Sequence, residues 1–433
     1  MTVIDDVASA RPVRVGDRFS VAIERVAHGG HVVARHDGRV VFVRHALPGE
    51  TVEVVVTSLG PQGRFVRADA VAVVVASSDR VEPPCPHSGP ARCGGCDWQH
   101  VSLEAQRGLK AEVLREQLHR LGGIEEIEGV ALVDSVRVDP VPGDDEGLGW
   151  RTRVRFAVAA DGSVGFRRHR SHTVEKIDSC PLASPGVTDV GVPAYRWPGA
   201  AELEVVCSSS GDRAVIIEPP ETRSARDLPR DVAVPGLRGR TWVSEQAGGR
   251  SWRVQTGGFW QVHPGAADTL VDAVRAALAP QPGEHLLDLY SGVGLFAGCL
   301  AADLGPEGRV DAVEFSVDAC RDARRNLHDV PTVSIHQGDV EAWLATGAID
   351  TVDIVVLDPP RSGAGPAVLD LVLDLAPRAI AYVACDPAAL GRDVGHLRSA
   401  GWQVTQVQGY DLFPMTQHLE AVALLLPPPP LPS

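Results

Sequence analysis

The chain has 433 residues, 44% of them hydrophobic and 5% aromatic, and carries a net charge of −15. That length accommodates two or three domains, and no run of about 18 apolar residues is present to form a membrane-spanning helix. The opening Met1-Thr2-Val3-Ile4-Asp5-Asp6 lacks the basic and apolar regions of a secretory signal, so a cytoplasmic protein with reduced thiols is expected.

Residues 1–10 read as a loose tail. From Val13 to Val75 short β-runs alternate with glycine turns, as in His31-Val32-Val33-Ala34-Arg35 and Arg39-Val40-Val41-Phe42-Val43. Five such runs in about sixty residues predict a small OB-like barrel over 11–75. The acidic balance is not uniform. Nine Arg face six acids between Arg11 and Val75, and six Arg face one Asp between Trp150 and His172. Such stretches suit phosphate contact, because salt confines their field to about 10 Å.

Glu82-Pro83-Pro84-Cys85 ends the β-runs and opens a cysteine-rich segment. Cys85, Cys93 and Cys96 form C-x7-C-x2-C, with Cys180 as a distant fourth thiol. Four thiolates suit either structural zinc or an iron–sulfur cluster, and spacing alone does not decide between them. A helix is predicted over 103–121, ending at Gly122-Gly123. Residues 76–255 form a mixed central domain. Cys207, Cys299 and Cys320 read as packing residues.

From Gly257 the texture changes. Strand-like runs near 285–289, 309–314, 332–336, 353–357 and 379–384 alternate with helical stretches at 264–278 and 316–327. The pattern predicts a doubly wound α/β domain over 256–426, with a proline-rich tail at 427–433 taken as disordered. Asp288-Leu289-Tyr290-Ser291-Gly292-Val293-Gly294 runs from strand through a glycine turn to a helix, where backbone can approach a ligand. No Gly-x-Gly-x-x-Gly and no Walker lysine accompany it. The turn resembles the first motif of S-adenosylmethionine-dependent methyltransferases. Asp288, Tyr290, Gly292 and Gly294 are therefore candidate cofactor contacts. Glu314, ending the next strand, could accept from ribose hydroxyls, and Asp339, after the third, could meet the adenine amine.

The last set of motifs is the most specific. Asp358-Pro359-Pro360-Arg361-Ser362-Gly363, Ala384-Cys385-Asp386-Pro387 and Phe413-Pro414-Met415-Thr416-Gln417-His418-Leu419-Glu420 follow Gly258-Phe259-Trp260-Gln261 in that order. Together they resemble the RNA 5-methyluridine (uracil-C5) methyltransferases over nearly the whole chain, with the barrel as a TRAM domain. The resemblance implies a Rossmann-like methyltransferase domain behind that barrel. It assigns Cys385 as the thiolate that adds to carbon 6 of uracil and Glu420 as the base that removes the proton from carbon 5. It places Asp358 at the pyrimidine edge and the cofactor, and Gln261 at the cofactor. Arg361 steadies the site or a phosphate. The chemistry explains the residue types, because carbon 5 becomes nucleophilic only after a thiolate adds next to it. The target base must also leave its stack.

The TRAM-bearing branch of this family carries a four-cysteine [4Fe–4S] cluster, which resemblance assigns to Cys85, Cys93, Cys96 and Cys180. The C-x7-C gap is longer than that branch's pattern. His263 and Asp386 stand where the family has asparagine, and His418 reads as structural. RNA is the expected partner, large-subunit ribosomal RNA ahead of transfer RNA, and a monomer is expected. The alternatives are radical S-adenosylmethionine chemistry, against which the cysteine spacing argues, DNA cytosine methylation, and a non-catalytic RNA-binding protein.

Overall fold

The computed structural model describes residues 13–218 and 241–429. The expected loose ends fall outside these residues, wholly for 1–10 and from residue 430 for the tail. Two compact units are present. One contains the chain up to Gln106 together with Met415–Gln417, and the other contains Arg107–Pro414 and the residues from His418 onward. Among the described residues no helix is long and apolar enough to cross a membrane.

In the first unit, Arg18–Ala27, His31–His36, Arg39–Arg44, Thr51–Leu59 and Phe65–Val75 close into a barrel. Going round it, the order is first, second, third, fifth, fourth. Alternation along the strands sends Val21, Ile23, Val32, Val41, Val52 and Val54 inward as a separate core. The tight turn at Asp37-Gly38 takes positive φ at both residues, which fits the right-handed twist of the flanking strands. Beyond the barrel, Arg80 grips the buried Glu50 through Nε at 2.6 Å and Nη2 at 2.7 Å. That pair fixes the exit of the chain towards the cysteine-rich segment.

The second unit contains a five-stranded antiparallel sheet, a hairpin of Trp242–Ala247 and Arg250–Gln255, and an eight-stranded sheet. The large sheet runs Val333–Gln337, Arg309–Glu314, His285–Leu289, Ile354–Leu357, Ala379–Ala384, Glu420–Leu426, Gln403–Asp411 and Val138–Pro140. Its first five strands pair in parallel, as a doubly wound fold requires. The central strands Ile354–Leu357 and Ala379–Ala384 are wholly apolar and buried, as strands covered on both faces require. Strand order reverses between His285–Leu289 and Ile354–Leu357, which opens a crevice at their carboxyl ends. Glu420–Leu426 then pairs antiparallel with Ala379–Ala384.

The basic stretch at 150–172 does not stand free. Arg155 lies within 3.5–3.8 Å of Glu202, Glu204 and Glu218, Arg167 pairs with Glu202, and Arg168 reaches Glu175 at 2.7 Å. Arg153 is buried and donates to the carbonyls of Thr256 and Gly258. Three other strands of the same antiparallel sheet supply the glutamates, so Arg155, Arg167 and Arg168 of the expected phosphate-binding stripe are paired from within the sheet.

A buried ion pair ties the helix Leu103–Arg120 to the large sheet. Lys110, fully buried, donates to Asp411 at 2.5 Å and to the Phe413 carbonyl at 3.0 Å. Removing one partner strands the other charge in an apolar setting. Lys110→Met is expected to destabilise the second unit by about 3–5 kcal/mol, and Lys110→Met with Asp411→Leu to recover much of that loss. Urea titrations of the two variants check this, and equal losses in both would show that the pair is not the cause.

Candidate active site

The reacting edge follows from strand register. Ala384 pairs with Ala421 across the antiparallel ladder, so the next step outward faces Cys385 with Glu420. Opposed residues of such a ladder project to the same face at close range. On the other side, Leu357 pairs with Tyr382, which puts Asp358 at the end of the adjoining strand. Three motifs that lie far apart in sequence meet at one crevice.

That crevice is a cavity of about 760 Å³. Gln261, Tyr290, Gly292, Glu314, Asp358, Arg361, Cys385 and Glu420 all line it. Five carboxylates reach its wall, those of Glu314, Asp318, Asp322, Asp358 and Glu420, against Arg361 as the one arginine or lysine there. Such a lining suits a ligand with positive charge. Gly292 has φ +55, and a Cβ there would meet no protein atom within 4 Å, so its backbone is open to a ligand. Tyr290 also takes positive φ, at 65°. These features fit a cofactor carrying a sulfonium and an ammonium group.

The acids around the glycine turn divide into two roles. Glu314 accepts the Gly292 amide at 2.9 Å and the Ser316 amide at 2.6 Å, so it shapes the turn and also faces the cavity. Asp288 is buried beneath the turn and accepts the Ala297 amide at 2.8 Å. Burial pushes its carboxyl up to about 8, with the charges of Asp358 and Glu314 adding to the shift. Asp339 caps the helix Val340–Leu344 by accepting from Ala342 at 3.0 Å. Gly294, at φ +89, caps the helix Leu295–Leu304. Asp288, Gly294 and Asp339 are not among the lining residues: Asp288 is buried beneath the turn, and Asp339 is exposed at its helix start.

Burial dominates the electrostatics of the reacting groups. It lifts the Cys385 thiol to about 11, with Glu420 raising it further and Arg361 opposing. It lifts Asp358 to about 7. Glu420, 3% exposed, is held well above the usual carboxylate range by burial and by Asp358, again against Arg361. Burial thus shifts all three groups towards their protonated forms; the Cys385 thiol is protonated at neutral pH, and Asp358 sits close to its midpoint.

The two departures from the family pattern have structural explanations. Asp386 caps the helix Pro387–Ser399 by accepting the Ala389 amide at 2.8 Å, a task that Asp and Asn perform alike. His263 is buried, accepts the Gly265 amide at 3.2 Å and stacks on Trp150. His418 is held neutral because burial lowers it to about 4. Cys299 and Cys320 are buried in packing positions, and Cys207 is half-buried.

Several lining residues were not singled out from sequence. Phe259 is 72% exposed yet lines the cavity, as an aromatic positioned to meet a ligand would. Ser316, Asp318 and Ala319 follow Glu314 at the start of a helix, and the detectable signal was a polar helix start directly after a strand-ending acid. Gln255 and Phe413 carried no such mark.

Cys85, Cys93 and Cys96 are half-buried in the first unit, and Cys180 is half-buried in the second. The Gln99 side chain donates to Cys96 Sγ at 3.2 Å and accepts the Cys85 amide at 3.1 Å. Thiols are the right donors for zinc or iron. Among the described residues, however, no three His, Cys, Asp or Glu side chains are gathered as a metal site, and no chemical step is derived from one.

Comparison with known proteins agrees with this geometry. The TRAM domain model matches residues 12–71, and the tRNA (Uracil-5-)-methyltransferase model matches residues 344–427. An uncharacterized RNA methyltransferase of Streptomyces avermitilis is 49% identical, over 95% of this chain and 99% of its own. The 23S rRNA (uracil(1939)-C(5))-methyltransferase RlmD of Halomonas elongata is 34% identical, over 94% of this chain and 89% of its own. The crystal structure of Pyrococcus abyssi tRNA (uracil-54, C5)-methyltransferase with S-adenosyl-L-homocysteine shares the fold. Its TM-score is 0.68 at 21% identity, covering 94% of this chain and 99% of that one. With a TRAM barrel, a thiol and carboxylates gathered on one cavity, and relatives alike over about nine-tenths or more of their length, the chain belongs to the RNA (uracil-5-)-methyltransferase family.

Proposed function

We propose that the protein methylates carbon 5 of a uridine in large-subunit ribosomal RNA, with S-adenosylmethionine as donor. The observation that carries this reading is the meeting of Cys385, Glu420 and Asp358 on the wall of one cavity, Cys385 and Glu420 each one step beyond the Ala384–Ala421 pair. The choice of RNA rests on the relatives named for 23S ribosomal RNA, two of which are 34% identical to this chain. Bound S-adenosylmethionine supplies an electrophilic methyl group. Cys385 Sγ adds to carbon 6 of the flipped-out base, and carbon 5 gains the electron density to accept that methyl. Glu420 then takes the proton from carbon 5, and the carbon–sulfur bond breaks to restore the ring and the thiolate. Asp358 holds the pyrimidine edge or the cofactor, and Arg361 offsets negative charge on the thiolate and the base.

The test is methyl transfer from labelled S-adenosylmethionine to separate ribosomal and transfer RNA pools from a methylation-deficient host, with the nucleoside identified by mass. Labelled 5-methyluridine is expected in ribosomal RNA. Cys385→Ala should abolish it while RNA and cofactor still bind, and Glu420→Gln should accumulate a covalent enzyme–RNA adduct. Turnover by Cys385→Ala, or label in transfer RNA alone, would overturn the corresponding part of the reading.

The protonated thiol implies a pH dependence. Cys385 must lose a proton that burial retains, so kcat/KM should climb between pH 7 and 9, approaching about tenfold per unit. Arg361 lowers both groups. Arg361→Met should therefore move the climb to higher pH. An unshifted pH–rate profile in that variant would remove Arg361 from this role.

We further propose that Cys85, Cys93 and Cys96, with Cys180 as the fourth thiol of the set, hold a [4Fe–4S] cluster. The support is the donor set and its spacing in sequence, and structural zinc is the alternative. Anaerobically purified protein should be brown and contain iron and acid-labile sulfide. Stoichiometric zinc without sulfide would reverse that assignment.

A further inference from the structure

The segment just ahead of Glu420 is held by residues remote from it in sequence. Met415, Thr416 and Gln417 pack as part of the first unit. The Met415 carbonyl accepts two amides, those of Asp97 at 3.1 Å and Trp98 at 3.0 Å. The Met415 amide donates to Gln106 Oε1 at 2.7 Å, and Gln106 Nε2 lies 3.3 Å from Met415 Sδ. Asp97 Oδ2 accepts the Gln417 amide at 3.3 Å. Gln106 has no exposed surface, and it also donates to the Trp98 and Val101 carbonyls at 3.2 and 2.9 Å.

Two further observations show how tightly the segment is specified. Met415 takes φ +66, a left-handed conformation that a non-glycine residue keeps only where its surroundings fix it. Gly30, in the first barrel turn, has φ +77, and a Cβ there would stand 3.0 Å from Gln417 Cβ and 3.1 Å from the Asp97 carboxyl carbon. Three residues beyond Gln417 the chain reaches Glu420, the first residue of its strand. Pairing with Tyr410 fixes Glu420 from the strand side, and Met415–Gln417 holds the chain that leads to it.

We propose that Gln106 and Asp97 are positioning residues for Glu420, acting by anchoring Met415–Gln417. This rests on the reading of Glu420 as the base that removes the carbon 5 proton. Addition by Cys385 and methyl transfer both precede that proton removal. Loss of the anchor therefore leaves the early steps running and slows only the breakdown of the adduct.

The experiment uses the full chain with Gln106→Leu and Asp97→Ala, compared with wild type and Glu420→Gln. Each variant should lose about tenfold or more in kcat. Each should also accumulate the covalent enzyme–RNA adduct on denaturing gels, with an unchanged dissociation constant for S-adenosylmethionine. Asp97→Asn retains a carbonyl acceptor for the Gln417 amide and should restore most of the rate. Gly30→Ala crowds the same anchor from the barrel side, and it serves if the other variants do not fold. Wild-type kcat and adduct levels in the folded variants would overturn the proposal. So would loss of cofactor binding, adduct and turnover together, which marks structural support alone. Absence of adduct in both wild type and Glu420→Gln would instead overturn the reading of Glu420 on which the proposal rests.

Discussion

One pairing, the antiparallel ladder between Ala379–Ala384 and Glu420–Leu426, sets the chemistry of this protein. A parallel sheet alone delivers strand ends to a common edge and could place Asp358 and Cys385 there. It cannot bring in a group that begins a strand. Glu420 does begin one, and only a strand running the opposite way presents its first residue where its neighbours present their last. The register Ala384 to Ala421 then leaves Cys385 and Glu420 as the next facing pair. A slip of one residue would turn Glu420 to the opposite face of the sheet. The buried apolar run Ala421-Val422-Ala423 resists that slip because both of its faces are covered.

The same pairing creates an electrostatic conflict. A thiol and two carboxyls gather in a half-buried crevice with Arg361 as the one guanidinium on its wall. Desolvation eases the conflict by shifting the three groups towards their protonated forms. A neutral ligand would leave that state unchanged. A ligand carrying positive charge favours the ionised form of each group, through the Coulomb term that Arg361 already exerts on Cys385 and Glu420. In the proposed reaction the acidic lining would both attract a sulfonium cofactor and, with that cofactor bound, favour ionisation of Cys385 and Glu420.

How much of this was legible in the sequence depended on whether a residue's role is local. Cys385 and Asp358 end apolar runs and precede prolines, and Glu314 ends a strand. Each declares itself within about ten residues, and all three line the cavity. Asp288 and Asp339 occupy equally regular positions, yet each carboxylate accepts a backbone amide, Asp288 while buried and Asp339 while exposed, and Gly294 only starts a helix. The basic stretch at 150–172 misled for the complementary reason. Its neutralising partners Glu202, Glu204 and Glu218 lie thirty or more residues away, and only sheet pairing brings them alongside. Local charge bookkeeping cannot detect a cross-strand salt bridge.

Long-range placement also explains why Asp97, Trp98 and Gln106 stayed hidden. Their partner Met415 lies more than 300 residues on, and the contact is mostly backbone, so side-chain identity at Met415 carries little information. The arrangement links two otherwise separate features of the chain. Asp97 and Trp98 directly follow Cys96, and Gln99 binds both Cys85 and Cys96. The cysteine-rich segment and the anchor of Met415–Gln417 are consecutive parts of one hydrogen-bonded piece. Under the proposed anchoring, a change at the thiols would reach the chain leading to Glu420 through this backbone, which gives the cysteine segment a structural reason to accompany the site.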